Sequence, residues 1–405
     1  MKKIIVISEL YYPEQNATGH FLTGIAEGLS EDGFEVSVLC GQPTYNQRGV
    51  KAPSKEERNG VLIRRCRATT FDSKNIAGRL FNFITISCSI AWHSLFHIRG
   101  AYKVLVVTNP PLLPFFIRII CWLKRARFFL LVHDVYPDVL VPLDILKKSS
   151  FIYKLISMLS RWLFNSANKI IVLGRDMRDL VIKKSVNLNS EKVVIIPNWA
   201  DVNDIGPMTK SSCFLVQKHK LDDCFIVQYS GNHGRTHDLE SLVKAAEELK
   251  DNKEIVFLFI GAGSGKKELI EYVKKNNLRN IIFEDFVAKS DLNQALNASD
   301  LFIISFKKGM AGISVPSRMY NLMATARPIL ASVDKDSEVG QVVIEEAIGF
   351  QVKPCSPKEL VNKILTFKLD IEMANSMGER ARQCSIEKYS YQVIKEKYRL
   401  LFSED

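Results

Sequence analysis

Ile4-Ile5-Val6-Ile7 is an unbroken apolar run closed by Ser8-Glu9, the pattern of a strand buried on both faces. Short apolar runs recur at residues 35–39, 104–108, 128–133 and 169–173, and residues 21–30 and 152–165 between them read as helix. Such alternation predicts right-handed βαβ units on a parallel sheet. Residues 191–198 form a last strand ending in a turn, and a polar stretch, 201–212, makes the best domain boundary. The pattern then begins afresh. A strand at 225–229, a helix at 239–249 and a strand at 255–260 precede further strands at 280–283, 301–304 and 329–331. Residues 384–402 read as one closing helix with Tyr389, Tyr391, Val393 and Tyr398 on its apolar side. The expected fold class is α/β: two Rossmann-like, doubly wound domains over 1–200 and 201–383, facing across a cleft, with a helix over 384–405 packing back on the first.

Two longer apolar stretches interrupt the first half. Residues 80–98 include Phe81, Ile84, Trp92 and Phe96; residues 110–131 include Phe115, Ile119, Trp122 and Leu123. Neither is a clean span, because Asn82, His93 and His97 break the first and Arg118, Lys124, Arg125 and Arg127 the second. They read either as two buried helices or as monotopic elements dipping into lipid headgroups beside cations. The run at 4–7 is too short for the apolar region of a signal peptide.

Charge sharpens this picture. The 405 residues carry a net +11, yet residues 1–200 hold 27 Lys and Arg against 15 Asp and Glu, while the remainder holds 28 against 29. All the excess positive charge lies in the first half, which points to an anionic partner there: a membrane surface, a phosphorylated lipid or nucleic acid. Nucleic acid ranks last, since no recognition signature or aromatic-interleaved basic stripe is present. The eight cysteines stand singly, without a Cys-x-x-Cys pair, so a zinc site is not expected and reduced thiols are.

Phosphate-directed features concentrate in the second half. Gly231-Asn232-His233-Gly234 follows a strand and precedes a helix, which suits either a phosphate loop or plain turn chemistry. Gly261-Ala262-Gly263-Ser264-Gly265 follows the next strand, but the first βα turn of the chain lacks Gly-x-Gly-x-x-Gly, which counts against a dehydrogenase. In Val315-Pro316-Ser317-Arg318, Pro316 fits a helix start, Ser317 can cap, and Arg318 brings a planar donor fork to the first turn. At strand ends in the first half, the loop over residues 10–20 carries Gly19, and His133-Asp134 is placed to orient a sugar or an attacking hydroxyl. Asp138 reads either as part of that site or as a cap of the next turn.

Tyr12-Pro13-Glu14, His133-Asp-Val-Tyr-Pro-Asp138, Ile196-Pro-Asn-Trp199, Tyr229-Ser-Gly-Asn232, Ile260-Gly-x-Gly and Val315-Pro-Ser-Arg-Met-Tyr-Asn321 occur in order over the whole chain. In combination they resemble glycosyltransferase family 4, in the WbuB-like subgroup connected with N-acetylfucosamine and related sugars of O-antigen and capsule. The resemblance implies a GT-B fold, a nucleotide-sugar donor on the C-terminal domain, an acceptor on the N-terminal domain, retention of configuration, and no required metal or other cofactor. It places Gly19, Gly231, Asn232 and Gly234 at the donor phosphates, with Arg235 as a supplementary cation and Arg318 at the pyrophosphate. It puts Phe286 and Val287 at the uracil and Glu338 at a ribose or sugar hydroxyl. Two glutamates usual in the family are replaced by Ile313 and Asn321, and Ala326 stands where a glycine is usual. Asn321 keeps an amide for the ribose but brings no charge.

The resulting expectation is a retaining hexosyltransferase moving an N-acetylated hexosamine or 6-deoxyhexosamine from a UDP-sugar to a lipid-diphosphate-linked saccharide. It would work in the cytoplasm, peripheral on the anionic inner face of a bacterial plasma membrane, without a nucleic-acid partner. Arg318 would stabilise the leaving group, helped by N–H groups at 231–234 and Ser317, while Asp134 and His133 position acceptor or sugar. The alternatives are a UDP-sugar 2-epimerase on the same fold and a non-catalytic partner of a transferase complex.

Overall fold

The structure is a computed structural model and describes residues 2–14, 16–43, 52–71, 76–185 and 187–404. It divides into two compact units: Met1–Val139, Leu146–Pro197 and Ile394–Asp405 form one, Leu140–Ile145 and Asn198–Val393 the other.

The first unit begins with β1 (Lys3–Ile7), α1 (Ala17–Glu31), β2 (Glu35–Gly41), β3 (Lys55–Arg58) and β4 (Val61–Cys66). It continues with α2 (Ile76–His97), β5 (Lys103–Val107), α3 (Leu113–Lys124), β6 (Arg127–Val132), α4 (Phe151–Ser166), β7 (Lys169–Val172), α5 (Arg175–Lys184) and β8 (Val193–Ile195). The strand order is β3-β4-β2-β1-β5-β6-β7-β8. Among the described residues only β3 runs antiparallel to its neighbour. Val104, Leu105, Val106 and Val107 are fully buried, as continuous apolar strands of a covered parallel sheet must be. The β3–β4 hairpin was not expected, because Lys-Glu-Glu-Arg hides a strand of apolar alternation. Its signal is Asn59-Gly60, whose φ angles of 48° and 74° make the two-residue turn that matches strand twist.

In the second unit α6 (Phe214–His219), β9 (Phe225–Ser230), α7 (Leu239–Glu248), β10 (Ile255–Ile260), α8 (Lys266–Lys275), β11 (Ile281–Glu284) and α9 (Leu292–Asn297) come first. There follow β12 (Leu301–Ser305), α10 (Arg318–Ala324), β13 (Ile329–Ser332), α11 (Glu338–Glu345), β14 (Gly349–Val352), α12 (Pro357–Leu369), α13 (Ile371–Glu387) and α14 (Tyr391–Ser403), whose last residues join the first unit. The all-parallel order is β11-β10-β9-β12-β13-β14.

The closing helix is two helices, broken where Ser390 bridges to Ala200 and the Tyr389 carbonyl accepts from Ala200 N at 2.7 Å. The stretches at 80–98 and 110–131 are not two buried helices: α2 and α3 bury only one side, and the second stretch also contains β6. Phe81, Trp92 and Phe96 on α2, and Trp122 and Leu123 on α3, are more than half exposed. Among the described residues no helix is long and apolar enough to cross a membrane.

Candidate active site

In a doubly wound sheet the crevice opens where strand order reverses, because successive crossovers there leave in opposite directions. In the second unit that point lies between β9 and β12, so the loops after these strands meet although some 80 residues separate them. The Gly231–Gly234 loop leaves β9, and the segment before α10 leaves β12. They are joined by Arg318. Its Nη1 donates to the Ser230 carbonyl at 2.8 Å, and its guanidinium lies 5.0 Å over the Tyr229 ring. A Cβ on Gly231 would come within 2.0 Å of Nη1, so glycine is required there for the guanidinium to lie against the backbone.

His237, which the motif reading passed over, completes the clamp. Its Nδ1 lies 3.0 Å from the Ser305 carbonyl and must donate to it, which leaves Nε2 as the acceptor facing Arg318 Nη2 at 3.4 Å. Burial, with the Arg318 charge second, holds His237 down to about 3, so the ring is neutral. It also stacks on Phe306, 4.8 Å between centroids. Only the strand order reveals this partner. In sequence it is one histidine beside the N-cap Asp238 of α7.

The glycine loops differ from expectation in a specific way. Gly231 N donates to Ile260 O at 2.8 Å and His233 N to Ala262 O at 2.9 Å. Two of the four amides expected to face phosphate are therefore spent on the neighbouring loop. The glycines of 261–265 serve that contact: a Cβ on Gly261 would sit 1.9 Å from Gly231 O, and one on Gly263 2.5 Å from the His233 carbonyl. Lys266, also passed over, secures the arrangement by donating to Gly261 O and Glu284 O, both at 2.8 Å. Asn232 and Arg235 are exposed, and Gly234 is half-buried beside the Asn232 side chain.

Other expected residues divide. Phe286 is exposed, with its ring beside Gly261, whereas Val287 packs on the core cluster of Ile226, Leu258 and Ile260. Ser317 precedes α10 with helical backbone angles and makes no side-chain cap, so the capping expectation fails. The Asn321 side-chain oxygen accepts from Asp201 N at 2.9 Å, so the ribose contact expected of it falls to its N–H donors and the oxygen's second lone pair. Ile313 is buried, with no carboxylate at that point. Glu338 begins α11, capped by Ser337, and is nearly buried. Asp334 orders the loop after β12, its Oδ2 accepting from Gly309 N and Met310 N at 2.8 and 3.0 Å.

The first unit has its own reversal, between β1 and β5. His133, at the end of β6, places Nδ1 3.3 Å from Thr18 Oγ1, and Thr108 Oγ1 accepts from the backbone N–H groups of His133 and Asp134 at 3.1 and 3.3 Å. Burial holds His133 down to about 4, and its Nε2 has no partner among the described residues. Gly19, which the resemblance places at the donor phosphates, lies inside α1, and its N–H donates to the capping Asn16 Oδ1 at 2.8 Å. It is glycine because a Cβ would stand 2.8 Å from the Glu14 carbonyl. Asp138 is neither a turn cap nor open, being ion-paired with Lys184 and accepting from Tyr153 Oη at 2.9 Å.

Comparison with known proteins fits both halves. The family described as "Glycosyl transferases group 1" matches residues 211–384, and "Glycosyl transferase 4-like domain" matches residues 16–199. The "Probable glycosyltransferase WbjE" of Pseudomonas aeruginosa is 28% identical over 403 residues, 98% of this chain and 97% of its own length. WcaI of Escherichia coli K12, a glycosyl transferase ascribed to colanic acid biosynthesis, is 25% identical over 371 residues, 89% of this chain and 90% of its own. Among solved structures, Anabaena HepE in complex with UDP-glucose superposes with a TM-score of 0.74 at 15% identity, covering all of both chains. WaaG, a glycosyltransferase involved in lipopolysaccharide biosynthesis, does so with a TM-score of 0.72 at 13% identity, over 98% of this chain and 99% of its own. The two parallel sheets are those of the GT-B fold, and the chain belongs to the group 1, family-4-like glycosyltransferases, enzymes that transfer sugar from a nucleotide donor.

Proposed function

We propose that this glycosyltransferase moves an N-acetylated hexosamine or 6-deoxyhexosamine from a UDP-sugar to a saccharide borne on a lipid diphosphate, with retention, in O-antigen or capsule synthesis. WcaI, ascribed to colanic acid, and WaaG, involved in lipopolysaccharide biosynthesis, support the pathway class, HepE solved with UDP-glucose supports a UDP donor, and the motif resemblance to WbuB-like transferases supports the sugar class. The work would be done at the anionic inner face of the plasma membrane.

One observation carries the reading: Arg318 is pinned at the switch-point crevice by Ser230, Tyr229 and His237. As the glycosidic bond breaks, negative charge builds on the departing diphosphate, and a cation already held in place stabilises it without reorganising. Of the five guanidinium N–H donors, the Ser230 and His237 contacts use two, so donors remain for phosphate oxygens. The amides of Asn232, Gly234 and Ser317 and exposed Arg235 would add to it. Phe286 offers an open aromatic face for the uracil, and Glu338 an acceptor for a ribose or sugar hydroxyl. In the first unit, neutral His133 would orient the acceptor through Nε2 with Asp134 beside it, while the departing phosphate takes the acceptor proton.

Arg318→Ala should lower turnover about 10²–10³-fold with the fold intact. Near-normal turnover removes Arg318 from the mechanism. A donor screen reading UDP release, with membrane extract supplying acceptor, identifies the sugar, and calorimetry showing no uptake of any uridine diphosphate compound would sink the proposal.

A further inference from the structure

More than half of the large apolar side chains exposed among the described residues lie on three helices of the first unit. On α2, Phe81, Ile84, Trp92 and Phe96 lie along one stripe at helical spacing; on α4, Phe151, Leu155, Met158 and Trp162 do the same. Ile119, Trp122 and Leu123 extend the face on α3, which packs between α2 and α4. The protein has four tryptophans, and three of them sit here, 63%, 68% and 44% exposed at 92, 122 and 162; Trp199 is buried. A water-facing helix places charges on its outer side, and these helices place rings there instead.

Their charge is equally one-sided. The three helices contain no Asp or Glu, and carry Arg79, Arg118, Lys124, Lys154 and Arg161. Exposed Arg125, Arg127, Lys147 and Lys148 flank them. Among the described residues none of the five helix cations is ion-paired. We infer that the α2–α3–α4 face is a monotopic docking surface for an anionic lipid bilayer, its aromatic and aliphatic side chains entering the headgroup layer and its cations meeting lipid phosphates.

Charge argues for this occupant over a second copy of the chain, which would set the cations of these helices against one another with no acid on any of the three to answer them. Position agrees. The Arg79 charge acts on Glu9 at the end of β1, so the first turn of α2 stands beside the strand edge where Thr18 and His133 meet. The inference deepens the reading of a lipid-borne acceptor and rests on it only for its biological sense. Lipid binding itself needs no donor.

The test is flotation of the purified full-length protein with vesicles of phosphatidylcholine alone and of phosphatidylcholine mixed with phosphatidylglycerol. Binding to the anionic vesicles, with a blue shift of tryptophan emission and quenching by brominated lipid, is expected. Lys154→Gln with Arg161→Gln should weaken binding about thirtyfold, at roughly one kcal/mol per basic residue. Trp122→Ser with Phe151→Ser should weaken it about tenfold or more. Both pairs are exposed, so thermal unfolding and UDP uptake measured without vesicles should match the parent. Equal flotation of parent and variants, or none with anionic vesicles, overturns the inference, as does self-association through this face without lipid binding. Vesicle binding without UDP uptake would instead leave this surface standing and remove the donor reading.

Discussion

Gly231→Ala removes no charge and no side-chain donor, yet it should disable the enzyme. The position has φ +144°, where a side chain costs about 1–3 kcal/mol. The new Cβ would lie 2.0 Å from Arg318 Nη1 and 2.2 Å from its Cζ, so the guanidinium must swing away. That breaks the 2.8 Å bond to the Ser230 carbonyl, a charge-assisted hydrogen bond of about 1.5–3 kcal/mol, partly offset as the freed cation returns to water. The combined destabilisation of roughly 2–4 kcal/mol leaves a folded protein with its arginine in the wrong place. Turnover should then fall about 10²–10³-fold, as if the arginine were absent. Gly261→Ala is the control, because its Cβ would meet main-chain Gly231 O at 1.9 Å, which cannot swing aside. It should unfold the second unit rather than silence it. Thermal unfolding, UDP calorimetry and turnover on one preparation distinguish the two. A folded Gly231→Ala enzyme with parental turnover would refute the assignment of Arg318 and the geometric reason for the glycine together.

His237→Ala should lower turnover about three- to tenfold by freeing one arm of Arg318, a loss of about 1 kcal/mol; His237→Gln should recover part of it. If alanine and glutamine behave alike, the ring acts by packing alone. Burial, with the Glu14 charge adding to it and Arg79 opposing, pushes Glu9 up to about 7 from 4.5. A carboxyl raised on folding binds more protons in the native state, so stability should fall as pH rises from about 5 to 8, by about 3 kcal/mol. Unfolding temperatures of Glu9→Gln across that range should lose this slope; an unchanged slope places it elsewhere. Ala326 has φ +58°, so Ala326→Gly should raise unfolding stability by up to about 1 kcal/mol, and a decrease would show that the methyl packs usefully.

What could be read in the sequence was local. Four to six apolar residues closed by Gly, Ser or Pro are too short for a helix and read as buried strands, and their alternation with helical stretches leaves a doubly wound sheet as the economical topology. The Pro-Ser-Arg start of α10 and the glycine turns were visible because backbone chemistry restricts which residues stand there. Asn59-Gly60 shows that the β3–β4 hairpin was legible too.

Tertiary structure decided the rest, because a side chain's role depends on what lies across from it, which strand order alone determines. Gly231 and Gly263 look like phosphate-loop glycines, yet Gly231 makes room for an arginine 87 positions on and Gly263 for a neighbouring loop. Asn321 looks like a ribose ligand, and only the fold shows that its oxygen also ties down Asp201 N, 120 positions away in the chain. The apolar side chains of α4 have the spacing of a core-facing helix, and periodicity says only that one face is apolar. Which face the sheet covers, and which it leaves to the surroundings, follows from how the crossover helices α2, α3 and α4 pack against one another and against the strands.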